Sequence, residues 1–301
     1  MAVNVELWEK TVKETLFADN AFLNAFNNRD ENVVGGAIVH IPQAGAASNV
    51  VRNRASLPAT VTTRTDTDIT YALDEFTTDP IKLSDRERVE LSYDKMASFI
   101  RQDTGNLLEV MAEWVLYNAA INAPSGAKIG STGAGDIATL AGTTGNRKVL
   151  TKEDLKNAQA YLNTQNVPQN DRHLLVDAYQ LAQLLGDDKL YDSYEKSASR
   201  VKGSLPMLFG FNIHMRSSAL RLDGSQGLKA PSAAAAATDT NGALFWQKGF
   251  IDRAIGDIRV FDDFSNPVYY GDIISFLIRA AARANRADNK GYGIIYNAAA
   301  A

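Results

Sequence analysis

The chain has 301 residues, 45% of them hydrophobic, with a formal net charge of -4. This composition excludes global disorder, which needs low hydrophobicity and high net charge. The acidic balance argues against a dedicated nucleic-acid binder, where a basic face is expected. The absence of cysteine excludes a disulfide scaffold, a thiolate zinc site, an iron–sulfur cluster and a cysteine nucleophile together. It does not fix the cellular compartment. At about 150 residues per domain, the length predicts about two domains. Glu6, Glu9 and Glu14 fall where a secretory signal would need an apolar core. The longest apolar stretches, such as 273–278, fall far short of the roughly 18 residues a membrane span needs.

Residues 1–31 read as one or two short amphipathic helices. Val5, Trp8, Val12 and Leu16 follow helical spacing, and Phe22, Leu23 and Phe26 continue the apolar content. Asn27 to Asp30 break the pattern with turn chemistry. Such a segment either docks on another surface or packs on its own core, and the pattern weighs the two equally.

Residues 32–83 read as extended. Val33, Val34, Ile38, Val39 and Ile41 are β-formers, and Pro42 closes the run. A small-residue stretch from Gln43 to Asn49 reads as a loop, and Pro58 to Leu83 is rich in Thr and Val. Two long strands joined by a tip are predicted. Few large apolar residues occur between Gln43 and Thr70, so this hairpin needs a partner surface, because isolated hairpins are marginal in water. Arg52, Arg54 and Arg64 cluster around the tip, with Asp66, Asp68, Asp74, Glu75 and Asp79 toward the base. They read either as a solvated charged surface or as a basic tip that docks on acidic groups of a neighbour.

Ser84-Asp-Arg-Glu87 has the form of a capping box, and Val89, Tyr93, Met96, Ile100, Leu107, Met111 and Val115 mark one helical stripe after it. The run lasts to Pro124, giving a helix of about 38 residues, or roughly 57 Å. Gly105 is a candidate kink. Residues 125–148, rich in Gly, Ser, Thr and Ala, read as a flexible insertion. Thr151 to Asp154 opens another capped helix, 174–176 is a buried strand, and 179–185 is a helix closing at Gly186. Residues 210–215 alternate like a strand, and 224–241 read as a low-complexity loop. Then come a strand at 244–246, a helical turn at 251–255, and strands at 259–264, 273–282 and 293–296. Asp288 to Gly291 reads as the turn between the last two.

Little catalytic equipment is visible. Gly133-Ala-Gly135 matches a relaxed dinucleotide fingerprint, but it lacks the preceding strand and following helix that the mechanism requires. No Walker-type phosphate loop, metalloprotease motif or nucleophile elbow occurs. His40, His173 and His214 are far apart in sequence and read as structural or exposed residues. Asp187-Asp188 and Asp262-Asp263 suit a divalent cation, but such pairs are more often ordinary turn caps. No catalytic, cofactor-binding or metal-binding residue is assigned.

The order of elements resembles a tailed-phage major capsid protein with the α+β Johnson fold, named also after the Hong Kong 97 phage. The stretches that carry the resemblance are 71–81 with 90–95, 201–211, 244–254 and 270–283. The resemblance covers nearly the whole chain. The resemblance implies an N-arm (1–31), an extended loop (32–80), a peripheral lobe with a spine helix (81–125 and 255–301) and an axial lobe (126–254). It implies arm contacts through Trp8, Val12 and Leu16, and subunit contacts through Arg52, Arg54, Arg64, Asp66 and Asp68. Ser84 and Glu87 would cap the spine helix.

The implied function is structural and non-enzymatic: pentamers and hexamers of an icosahedral shell around double-stranded DNA, in a virion assembled in the bacterial cytoplasm. Implied partners are a separate scaffolding protein, a portal protein and possible decoration proteins, with no sequence-specific DNA binding, cofactor or membrane. The alternatives are an encapsulin-type cargo shell and, more remotely, a hydrolase or nucleotide-binding enzyme. Some family members cross-link through a lysine of the extended loop. This chain has no lysine between Gly35 and Pro80, so that chemistry is not expected.

Overall fold

A computed structural model describes residues 20–33, 38–55, 57–84, 94–186 and 207–300. Trp8, Val12, Leu16, Glu87, Asp187 and Asp188 lie outside the described residues. Two sheets and one long helix organise the rest.

The first sheet is built on the 14-residue strand Gly271–Ala284. Along one edge run Ile251–Ile255 and Arg259–Asn266. Along the other run Asp74–Thr77 and Ile81–Ser84. Asn27–Asn28 adds a short parallel strand beyond Ile251–Ile255. Side chains alternate across a strand with period two. Ile274, Phe276, Ile278, Ala280, Ala282 and Ala284 therefore share one face and join the main core. The helix Asp94–Ala120 lays Leu107, Leu108, Met111, Val115 and Leu116 into the same core.

The second sheet runs in the order Met207–Leu208, Phe211–Arg216, Arg172–Asp177, Thr240–Gln247, Tyr292–Tyr296, Lys128–Gly130, with Leu220–Leu222 paired beside Thr240–Gln247. Its central strand Thr240–Gln247 is buried throughout. Leu244 and Trp246 face the main core. Ala243 and Phe245 face a second core roofed by the helices Lys152–Thr164 and Ala178–Gly186. The first of these two helices starts as its sequence predicts. The Asp154 carboxylate accepts the Thr151 backbone N–H at 2.8 Å, and Leu155, Ala158 and Leu162 are buried.

Two short connectors join the sheets. One is the turn Lys248–Phe250, the other is 285–291. They lie side by side: the Asn285 N–H donates to the Phe250 carbonyl at 3.0 Å, and the Gln247 N–H donates to the Gly291 carbonyl at 3.0 Å. A Cβ on Gly291 would come within 2.2 Å of the Phe250 ring, and its φ is +89°. Only glycine suits that position.

Several expectations need correction. Ser84 ends a strand paired with Gly271, and the rest of the predicted helix start, residues 85–93, lies outside the described residues. The described helix starts at Asp94 and spans 27 residues, about 40 Å. Residues 251–255 form a strand, not a helical turn. Their five side chains are all buried, which suits a central strand. Residues 125–148 are not an irregular insertion. Lys128–Gly130 pairs with Tyr292–Tyr296, and Gly135–Ile137 pairs with Asn146–Lys148. Tyr292–Tyr296, expected with the first sheet, pairs with Thr240–Gln247 in the second. The turn before it carries the chain from one sheet to the other.

Residues 20–30 also pack on their own chain. Phe22, Leu23, Ala25 and Phe26 are buried in the main core, and the Phe26 ring lies 5.0 Å from Trp246. The Trp246 indole N–H donates to the Ala25 carbonyl at 3.0 Å. Below them, the buried Asp252 carboxylate accepts from Asn27 at 2.6 Å, Asn285 at 2.9 Å and Arg29 at 3.4 Å. Replacing Phe26 by Ala should cost about 3–5 kcal/mol of stability, because it leaves a cavity against Trp246. The midpoint of urea-induced unfolding measures this, and an unchanged midpoint would contradict the packing described.

Candidate interaction surface

The extended loop has a fixed base and an unsupported tip. Ile38–Gln43 and Thr67–Ala72 pair antiparallel, from Ile38 opposite Ala72 to Gln43 opposite Thr67. Val39 and Tyr71 point inward and pack on Ala254 and Ala281 of the first sheet. Small alanines on the sheet let the hairpin lie close. Gln43 donates to the Asn285 carbonyl at 2.7 Å, and Arg283 donates to the Thr70 carbonyl. Burial, with the nearby Asp252 charge, pushes the Tyr71 hydroxyl up to about 12.

Beyond the six-residue strands, the described part of 44–66 has no regular secondary structure. Val50, Leu57 and Val61 are 91%, 83% and 94% exposed. The two predicted long strands are therefore short. Past Thr67 the chain offers too few apolar side chains to cover a ladder.

The charged residues of the loop divide into two groups. Arg64 grips Asp66 with two parallel hydrogen bonds of 2.7 and 2.8 Å, and Asp66 also accepts the Gly45 N–H at 2.8 Å. Those contacts hold the Asp66 carboxyl below its usual range. The two arms approach so closely that a Cβ on Gly45 would sit 2.2 Å from the Thr65 carbonyl oxygen. Asp68 bonds His40 at 2.7 Å. Arg64, Asp66 and Asp68 thus brace the neck of the loop, whereas Arg52 and Arg54 stand exposed at the tip. The acids nearer the base are engaged within the chain as well: Asp74 with Asn118 at 2.8 Å, Glu75 with Arg279 at 2.8 Å. A second exposed apolar cluster, Val268, Tyr269 and Tyr270, caps the turn between Arg259–Asn266 and Gly271–Ala284.

The other chemical candidates resolve differently. Gly133 and Gly135 lie at a small hairpin, where a Cβ on Gly133 would meet Val149 at 2.5 Å. They serve close packing and form no strand-to-helix phosphate turn. Asp262 and Asp263 lie on a strand opposite Ile274 and Ile273. Among the described residues no three His, Asp or Glu side chains gather as a metal site, and no helix is long and apolar enough to cross a membrane.

The histidines hold a surprise. His173 and His214, 41 residues apart, lie on neighbouring parallel strands with Nδ1 to Nε2 at 3.1 Å. Both rings stack near Trp246, at 5.6 and 6.3 Å. No spacing rule links these positions, so sequence reading missed the pair. Burial first, then His214, lowers His173 from 6.5 to about 4, with Lys248 adding to the shift and Asp171 opposing it. Burial also lowers His214. The unfolded chain therefore binds protons more readily than the folded one below about pH 6.5. The pair's contribution is intact above that pH and is lost as pH falls toward 4. The unfolding midpoint should drop between pH 7 and pH 4.5, and His214→Gln should flatten that drop. An identical pH profile in the variant would contradict it.

No family model matches this sequence, and no curated protein matches it. Solved structures do. The capsid of cyanophage P-SCSP1u superimposes with a TM-score of 0.65 at 15% identity, covering 92% of this chain and 87% of that chain. A structure of Mycobacterium phage Che8 gives 0.65 at 16% identity, over 91% of this chain and 90% of that one. The virus-like particle from Pyrococcus furiosus gives 0.55 at 11% identity, over 98% and 99%. At these identities the likeness is one of fold: the α+β Johnson fold, with its long helix, extended hairpin and two sheet-based lobes.

Proposed function

We propose that this chain, whose fold is that of tailed-phage capsid subunits, is a major capsid protein that assembles into an icosahedral shell around double-stranded phage DNA. The observation that carries the reading is the extended loop. Its base is anchored on the first sheet, while its tip exposes Val50, Leu57 and Val61, with none of the described residues covering them. A single subunit gains nothing from such a projection. A closed assembly of identical copies buries it on every neighbour. The role is structural and non-enzymatic, and the protein works in the virion after assembly in the host cytoplasm. A separate scaffolding protein and a portal are its partners. The acidic balance suits a container, since many phosphate contacts would hold the genome back.

Within this reading, Arg52 and Arg54 at the tip meet acidic groups of a neighbouring subunit, giving register more than affinity. Arg64, Asp66 and Asp68 shape the loop that presents them. The lobes divide as a peripheral lobe around the first sheet and the helix Asp94–Ala120, and an axial lobe around the second sheet. An encapsulin-type cargo shell is the second reading; the virus-like particle from Pyrococcus furiosus superimposes end to end, at a lower TM-score than the phage structures.

Electron microscopy of the purified protein should show closed shells, and a monodisperse monomer under every assembly condition would refute both readings. Shells filled with DNA support the first, whereas shells loaded with an enzyme support the second. Replacing Arg52 and Arg54 together by Glu should cut shell yield at least about tenfold, the equivalent of about 1.4 kcal/mol per contact set, with the monomer unfolding midpoint unchanged. Normal yield would defeat the docking role of the tip. Assembled particles should run as a single 32.7 kDa band on a denaturing gel, and a ladder of covalent multimers would overturn the argument from the missing loop lysine.

A further inference from the structure

The parallel strands Phe211–Arg216 and Arg172–Asp177 end side by side. Beside them the edge of Thr240–Gln247 changes partner. Arg172–Asp177 pairs with it from Leu244 to Gln247, and Leu220–Leu222 pairs with it from Thr240 to Gly242. A crevice opens at this fork, where one strand leaves and the other takes over. In sheets with parallel strands, ligands bind outside the carboxyl ends at such switch points. The crevice holds about 280 Å³ between the fork and the helix Asp94–Ala120, close to the roughly 300 Å³ at which small-molecule sites begin.

Four charged side chains line it: Glu113, Asp177, Arg221 and Lys229. Glu113 pairs with Arg216 at 3.8 Å and Lys229 with Asp239 at 2.7 Å, so both are already neutralised. Asp177 and Arg221 are in no ion pair among the described residues, and Arg221 acts on Asp239 only through space. Asp177 is 5% exposed. It accepts the Gln180 backbone N–H at 2.6 Å and the Asn241 side-chain amide. Burial still pushes its carboxyl above the usual range, because neutral donors offset the loss of water only in part. Arg221 lies directly opposite Asn241 across the strand pair, and adjacent strands are about 4.8 Å apart. A carboxylate and a guanidinium therefore flank one amide at the crevice wall. The rest of the wall is largely aromatic and apolar, with Tyr117, Tyr179, Leu140 and Pro231.

We propose that this crevice binds a free α-amino acid as its zwitterion, one with an apolar or aromatic side chain. Asp177 takes the ammonium group, Arg221 takes the carboxylate through paired N–H donors, and the side chain lies against Tyr117 and Leu140. A ligand of single charge leaves one of the two groups unanswered, whereas an α-amino acid carries both charges on one carbon. The walls come from the long helix and from the second sheet, so a bound ligand ties the two together and stabilises the subunit. The site belongs to a single chain and does not depend on the capsid reading.

Equilibrium dialysis of the full-length protein against L-phenylalanine, L-leucine, phenylacetate and phenethylamine tests this. At least one of the two amino acids should bind saturably, with a Kd of about 1 mM or tighter. Phenylacetate and phenethylamine, each lacking one charge, should bind at least about tenfold more weakly. Arg221→Gln and Asp177→Asn should each weaken amino-acid binding by a similar factor, with the unfolding midpoint of the ligand-free protein unchanged. Asn serves as well as Asp at the helix start that residue 177 caps, and Arg221→Gln keeps the test decisive should the other variant fold poorly. Absence of saturable binding by both amino acids would overturn the proposal, as would binding that ignores Arg221→Gln. Phenylacetate bound as tightly as phenylalanine would overturn it in favour of a plain anion site, and phenethylamine bound as tightly in favour of a plain amine site.

Discussion

Everything in this molecule hangs on two strands that address one helix. Gly271–Ala284 sends alternate side chains to the helix Asp94–Ala120, and Thr240–Gln247 sends Leu244 and Trp246 into the same core. Period-two strands and a period-3.6 helix agree here on one shared apolar volume. Burial of that volume is what sets the two sheets against each other. Trp246 is the keystone on the second sheet: it fills space against Phe26, holds the Ala25 carbonyl and stacks on both half-buried histidines. The N-terminal segment from Asn20, the base of the extended loop and the histidine pair are all placed by this one core.

The loop shows how such a core supports a part that the core does not include. Val39 and Tyr71 rest on the alanine face of the first sheet, and the Arg64–Asp66 grip then narrows the neck. Surface ion pairs of this kind contribute little stability. Their value lies in geometry, since they hold the two arms of the loop together at Gly45 and Asp66. The apolar side chains Val50, Leu57 and Val61 beyond the neck stand exposed.

Much of this order was legible in the sequence, and the failures are physical. The Thr151 cap, the Leu174-to-Val176 strand and the helix closing at Gly186 all depend on neighbours within four residues, so local pattern found them. The segment 251–255 did not obey that logic. A fully buried strand has no alternation to read, and pairing with residues near 280 decides its state. Lys128–Gly130 likewise takes its state from Tyr292–Tyr296, more than a hundred residues away, and Tyr292–Tyr296 from Thr240–Gln247. At the candidate site, exposure of Arg52 and Arg54 followed from the polar character of the loop. The capture of Arg64 by Asp66 did not, although the i, i+2 spacing on an extended chain places both on one side. The His173–His214 contact had no sequence signal at all.

The two connectors between the sheets carry a mechanical meaning. Lys248–Phe250 and residues 285–291 are short, lie side by side and are fastened to each other by backbone hydrogen bonds. Paired straps of this kind resist torsion and shear between the bodies they join. Together with the shared core they fix how one sheet sits against the other, so a change at Phe250 or Gly291 would be felt in both sheets.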